Sequence, residues 1–220
     1  MIDAALTTER ITLEDGRSAV YYPWRDEKVL ITDNAMNAVT IYSLMSREDA
    51  GEKNAEHIIA LIFADPSDAF CACDYDPAEF GQLVSSALWD VFGIDNVGGR
   101  TEDPLWDPVE DAALVRTSLR AAYGIDWDRD RWAMSWTEFV TLVSALPIET
   151  PLGAAIYYRD ERNRPKPTKT NGEMVEEFDR RHRLLALKKS NQEGSHDDAI
   201  ASNAAMNDAA LAINAIASKG

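Results

Sequence analysis

Cysteine is nearly absent from this 220-residue chain, and its two copies, Cys71 and Cys73, sit together in "CACD". A Cys-x-Cys pair is too close for an easy disulfide, so a disulfide framework is not expected. As half of a zinc site it lacks the other half, because His57, His182 and His196 have no ligand spacing to it. Positive charge is scarce as well: 22 Lys and Arg stand against 38 Asp and Glu, a formal net charge of −16. That balance argues against nonspecific binding to nucleic acid or to an anionic membrane surface. No apolar run approaches the roughly 20 residues of a membrane span. "MIDAALTTER" lacks the basic start and apolar stretch of a secretory leader. A soluble, cytoplasmic protein is expected. A glycine-rich phosphate loop, an HExxH pair and a Gly-x-Ser-x-Gly elbow are also missing. His57, beside "IIALIF", reads as a core or rim histidine and His182 as a solvated one. With no nucleophile–base pair in view, the expectation is a protein that is not an enzyme and holds neither metal nor cofactor.

What is present points to helices. Hydrophobic residues make up 45% of the chain and charged residues 27%, ordinary globular values that leave enough apolar surface for a core. "ITLEDGRSAVYYP" reads as a hairpin turning at Asp15-Gly16. A helix is predicted from about Asp33, with Met36, Val39, Thr40 and Leu44 near one face. Another runs from about Glu52 to Phe63 and stops at Asp65-Pro66. Asp76-Pro77-Ala78-Glu79 and Asp107-Pro108-Val109-Glu110 share one starting device: a capping Asp, Pro at the first helical position, and Glu three beyond the cap. The first opens a stripe of Phe80, Leu83, Val84, Ala87, Leu88 and Val91. The second opens Ala112, Val115, Leu119, Ala122 and Tyr123, with Gly124 as the stop.

The stretch "YGIDWDRDRWAMSWTEF", residues 123–139, holds three of the six tryptophans and alternates Asp126, Asp128 and Asp130 with them. A calcium loop needs glycine at its sixth place and glutamate at its twelfth; Arg131 and Thr137 stand there. Ser135-Trp136-Thr137-Glu138 is instead a capping box that opens "WTEFVTLVSAL", with Trp136, Phe139, Val140, Val143 and Leu146 in one stripe. Thr150-Pro151 then starts "PLGAAIYYR". The stretch reads as a joint between helices, and Tyr123, Trp127, Trp132, Trp136 and Phe139 are its candidate core or interface anchors.

Charge divides the chain further. Residues 1–158 carry 11 Lys and Arg against 28 Asp and Glu, whereas residues 159–189 carry 10 against 6. The shift falls at "RDERNRPKPTKTNG", too polar to build a core. Five segments follow: a hairpin and helical subdomain (1–98), a second helical subdomain (99–159), a Pro/polar linker (160–172), a basic amphipathic helix (173–190) and a low-complexity tail (191–220). The fold class is mainly α, a helical bundle of two small subdomains with an N-terminal hairpin and an extended C-terminal helix and tail. The basic helix places acids first and bases last, which suits the helix dipole. Met174, Phe178 and Leu185 on one side, with Arg180 and Arg181, make it a candidate contact helix for assembly or for a client. Its docking on the body is left open.

The succession "YGID", a short loop, "WTEFVTLVSALP" and then "IETPLGAAIYYR" resembles the bacteriophage gene-product-fifteen protein family. These are tail assembly chaperone-like products of long-tailed phages and prophages, chiefly of Gram-positive hosts. The upstream "AVYYP" hairpin, the Asp-rich entry to the first helix and "LWDVFGI" fit the same pattern. The likeness spans residues 10–160 and is most specific over 113–159. One departure is visible: the family tends to have His-Trp-Trp where Ser135, Trp136 and Thr137 stand. The resemblance implies no catalysis and no cofactor. It implies a protein that binds the long helical tape measure protein through a helix groove and keeps it soluble in the host cytoplasm while the tail tube assembles. Further partners would be a companion tail assembly chaperone and a second copy of itself; nucleic acid and membrane are not expected. Such a protein is absent from the mature virion. A structural tail component, such as a completion or connector protein, is the alternative that stays in the particle.

Overall fold

A computed structural model describes residues 10–45, 51–94 and 105–187. They are mostly helical, with a small three-stranded antiparallel sheet at the N-terminal end. The division observed differs from a single border near residue 98. Residues 10–94 group with 130–139 as one unit, and 105–129 group with 140–187 as the other. The predicted border between residues 98 and 99 and the tail 191–220 lie outside the described residues.

In the first unit β1 (Arg10–Thr12), β2 (Ser18–Trp24) and β3 (Glu27–Ile31) lie in the order β1-β2-β3. The hairpin turn is where Asp15-Gly16 places it, with Gly16 at φ 84°. β3 was not foreseen, because its turn carries no glycine or asparagine: Arg25 takes φ 52° at the first turn position. Tertiary contacts hold it there instead. The Arg25 guanidinium pairs with Glu79 at 2.5 Å, and the Trp24 Nε1 donates to the other Glu79 oxygen at 3.1 Å.

Helices α1 (Ala35–Met45), α2 (Gly51–Ile62), α3 (Pro66–Cys71) and α4 (Pro77–Phe92) follow. Leu44 is buried as predicted, but Met36, Val39 and Thr40 are only half-buried, and the rest of the buried face of α1 is Ala35, Asn37, Ala38 and Ile41. The reason is polar. Asn37 turns inward to donate to the Thr32 hydroxyl at 3.0 Å and to the Leu61 carbonyl at 2.7 Å, so the helix rotates about one position. Asp65-Pro66, read only as a stop, also starts α3, since the Asp65 carboxylate accepts from the Ser67 and Asp68 amides. Asp76 does the same for α4, accepting from Ala78 N at 2.9 Å, and the predicted α4 stripe is fully buried. α4 ends on Gly93 at φ 65°, a left-handed cap that satisfies the Leu88 and Trp89 carbonyls. Phe63, Phe70 and Phe80 meet ring to ring at 5.2–5.6 Å in this core.

The second unit contains α5 (Ala112–Tyr123), α8 (Pro151–Arg159) and α9 (Gly172–Leu185), with a 3-10 turn at Glu161–Asn163. α6 (Trp127–Asp130) and α7 (Trp136–Ser144) each cross the division. α5 begins four residues later than Asp107-Pro108 predicts. The cap forms, with Asp107 accepting from Val109 and Glu110 at 2.8 Å, but it closes only a turn. Within α5 the buried residues are Val115, Ser118 and Leu119, while Ala112 is exposed and Ala122 half-buried. Ser118 is inward because its hydroxyl accepts from Leu152 N at 2.9 Å, satisfying an orphan amide in the first turn of α8.

Candidate binding surface

The joint at 123–139 is built from two sets of contacts. In the first unit, the backbone of residues 131–136 is tied to β2 and to the start of α1. The carbonyls of Trp132, Met134 and Arg131 accept from Ser18, Ala35 and Met36 at 3.0, 2.9 and 3.2 Å. Asp33, 2% exposed, accepts from Trp136 N at 3.0 Å and from the Arg10 guanidinium at 3.0 Å. It thus caps α7 from a hundred residues away. Ser135 Oγ accepts from Glu138 N at 3.1 Å, the capping bond that the box predicts.

The anchors fare unequally. Phe139 is buried and stacks on Trp136 at 5.3 Å. Trp136 is half-buried, and its Nε1 donates to the Phe92 carbonyl at 2.7 Å, satisfying the last turn of α4. Trp132 is 39% exposed, with the Arg131 guanidinium 5.7 Å over its ring. In the second unit Trp127 is buried, whereas Tyr123 is exposed and donates its hydroxyl to the Leu142 carbonyl at 3.1 Å. Phe139 and Trp127 are therefore core; Trp132 and Tyr123 present ring surface. Replacing Trp136 by Phe keeps the stack and leaves the Phe92 carbonyl without its donor. The expected loss is about 1–2 kcal/mol in denaturant unfolding, the cost of an unmet buried acceptor. An unchanged midpoint would mean that water serves this carbonyl equally well.

Asp126 and Asp128 serve α5. Asp128 pairs with Arg116 at 3.2 Å and Asp126 with Arg120 at 3.8 Å. Among the described residues no group of three His, Cys, Asp or Glu is placed to hold a metal ion. Cys71 is exposed and Cys73 buried, and burial together with the nearby Glu79 pushes the Cys73 thiol up to about 11. Tyr22, whose hydroxyl donates to Asp90 at 2.7 Å, is raised to about 12 by burial and that carboxylate. His57 is exposed.

The basic helix is docked, a question its sequence left open. α9 lies on α8 with Val175 and Phe178 buried, and Phe178 meets the rings of Tyr158 at 5.4 Å and Tyr157 at 6.3 Å. Met174 does not belong to this face: it is 62% exposed, and the stripe is Val175, Phe178, His182 and Leu185. His182 is half-buried rather than solvated, its Nδ1 2.7 Å from the Tyr158 carbonyl. Arg180 and Arg181 both bond Glu177, and Arg181 also covers the Tyr158 ring at 5.0 Å. Lys188 and Lys189 lie outside the described residues.

Acid is expected to loosen α9, whose Glu177 pairs with Arg180 and Arg181 within the helix and whose Asp179 pairs with Arg164 ahead of it. Hydrogen bonds from Arg180 and Arg181 hold Glu177 down to about 2, and Arg164 and Arg162 lower Asp179 and Asp160. A carboxyl depressed in the folded chain stabilises it above its unfolded value, about 4–4.5, and that contribution is lost as pH falls through the folded value. The near-UV signal of Tyr157 and Tyr158 should fade between pH of about 4.5 and 2. A spectrum constant down to pH 2 would show that these ion pairs do not hold α9.

The sequence missed the best-buried charge pair among the described residues, Arg159 with Asp111. Arg159 donates to Asp111 at 2.6 and 2.9 Å, to the Leu105 carbonyl at 3.1 Å and to the Leu185 carbonyl at 2.6 Å. The two side chains are 9% and 4% exposed. No described helix is long and apolar enough to cross a membrane. Comparison of the chain with protein-family models, with curated proteins and with solved structures returns no match.

Proposed function

We propose that the chain is a non-catalytic, chaperone-like protein of phage tail assembly. It holds a long helical tape measure chain soluble in the host cytoplasm and leaves before the particle matures. The observation that carries this reading is the run from "YGID" to "IETPLGAAIYYR", whose likeness to the gene-product-fifteen family is the most specific feature of the sequence. Three physical features support it. Large apolar side chains lie open on the surface, among them Trp132, Tyr123, Tyr157 and Ile148, and a client with apolar helical stripes needs such cover. The net charge of −16 keeps a complex with such a client dispersed. The buried carboxylates Asp33, Glu79 and Asp111 are engaged in ion pairs with Arg10, Arg25 and Arg159, the work of a scaffold.

Co-expression tests it. A long helical protein encoded beside this chain should move from the insoluble to the soluble fraction when the chain is present and co-purify with it. Mass spectrometry of purified particles should find the chain absent. A client equally insoluble with and without the chain would end the chaperone reading. Presence in the particle at a fixed ratio would instead assign the structural tail role.

A further inference from the structure

The end of α8 reads a helix by a specific pattern. Phe178 supplies an aromatic ring to Tyr157 and Tyr158. Three residues on, the Arg181 guanidinium covers the Tyr158 ring; four on, the His182 Nδ1 meets the Tyr158 carbonyl; seven on, the open Leu185 carbonyl accepts from Arg159 Nε. Asp179 completes the set with two bonds from Arg164 at 2.7 and 2.8 Å. Along α9 the buried residues are Val175 and Phe178.

The connection that returns α9 to α8 favours extension. Arg164 precedes Pro165 and Lys166 precedes Pro167, and a residue before proline is driven to extended backbone. Arg164 is so placed, at φ −64° and ψ 124°. Apart from the Asn171 carbonyl, which accepts from Val175 N at the start of α9, the described hydrogen bonds of residues 165–171 close on one another: Asn171 Nδ2 on the Lys166 carbonyl at 3.0 Å and Thr168 N on Asn171 Oδ1 at 2.7 Å.

We propose that this end of α8 is a docking site for the α9 of a second copy of the chain, so that two chains associate by exchanging α9. Every contact of α9 with the end of α8 and with Arg164 forms equally well between copies, which makes exchange a low-cost route to a dimer. Only the effective concentration of the tethered helix opposes it, about millimolar for a short connection. Charge pairing of the basic segment with an acidic neighbour is the weaker account, because Glu177 and Asp179 already take up Arg180, Arg181 and Arg164. The exchange does not depend on the chaperone reading.

Two full-length variants separate the arm from its site. Phe178→Ala removes the arm's anchor and leaves the site; Tyr158→Ala removes the ring beneath Phe178 and leaves the arm. Each alone should sediment as a monomer, and an equimolar mixture should give a one-to-one dimer that persists from roughly 0.05 to 0.5 M salt, since screening weakens exposed ion pairs and not ring contacts. A mixture that stays monomeric overturns the proposal, as does self-association that survives in Phe178→Ala and fades with salt. Should Tyr158→Ala fail to fold, a fluorescent peptide of residues 172–187 supplies the test. It should bind the Phe178→Ala chain at least about tenfold tighter than the wild type, whose own α9 competes. Equal affinity for both chains, or binding to neither, overturns it.

Discussion

Asp111→Ala is expected to destabilise the second unit by about 3–5 kcal/mol, the cost of stranding a buried guanidinium. The carboxylate accepts both Arg159 bonds and also the Asp107 amide at 2.9 Å. Its engagement explains why it makes no side-chain cap on α5, although it stands at the capping position. Arg159 would keep the Leu105 and Leu185 carbonyls and lose the partner that balances its charge. Arg159→Ala should cost a similar amount and also free the last turn of α9. The double variant should cost clearly less than the sum of the two, because the second change removes the group the first one stranded. Denaturant unfolding of the four proteins measures the cycle. Replacing both residues by apolar ones of like volume should recover most of the loss, since a buried pair is weak evidence of net stability but costly to break. Single variants within about 0.5 kcal/mol of the wild type would show that water reaches this pair.

The sequence announces local devices and is silent on distant ones. Asp15-Gly16, Asp76-Pro77, Ser135 to Glu138 and Thr150-Pro151 act within a few residues, and each turn or cap forms where it was read. The α4 stripe was legible because its apolar side chains repeat at helical spacing without a polar interruption. Asn37 and Ser118 escaped because each is polar and buried by a partner far along the chain, Leu61 in one case and Leu152 in the other. β3 escaped because Arg25 holds a left-handed turn with the help of Glu79. The same rule applies to the candidate surfaces. The tryptophan joint was visible as composition, but its clasp by Asp33 and the carbonyl bonds to β2 and α1 was not. The α9 stripe was misjudged by one position, Met174 for Val175, because His182 was not counted as an inward residue.

Gly153→Ala should invert the usual sign of its class. Alanine in place of glycine inside a helix ordinarily gains about 1 kcal/mol by propensity, and Gly153 lies in the first turn of α8. Here a Cβ would stand 2.1 Å from the Pro147 carbonyl oxygen and 2.8 Å from its carbon, both backbone atoms that cannot swing aside. It would also stand 2.8 Å from Thr150 Oγ1. That hydroxyl is the α8 cap: it accepts from Gly153 N at 3.2 Å and donates to the same Pro147 oxygen at 2.6 Å. Relief of the clash must therefore move either the 147–150 turn or the helix start, and either movement opens the cap. Overpacking costs about 1–3 kcal/mol, a lost Thr cap about 0.5–2, and the propensity gain returns only about 1. The net expectation is a loss of about 0.5–4 kcal/mol, read as a lower denaturant midpoint with unchanged slope. Thr150→Ala, which removes the cap without adding a clash, should account for the smaller part of it. In the double variant the cap can be lost only once, so the two losses should fall short of additive. A Gly153→Ala chain as stable as the wild type would mean that α8 starts at a different distance from Pro147 than these contacts require.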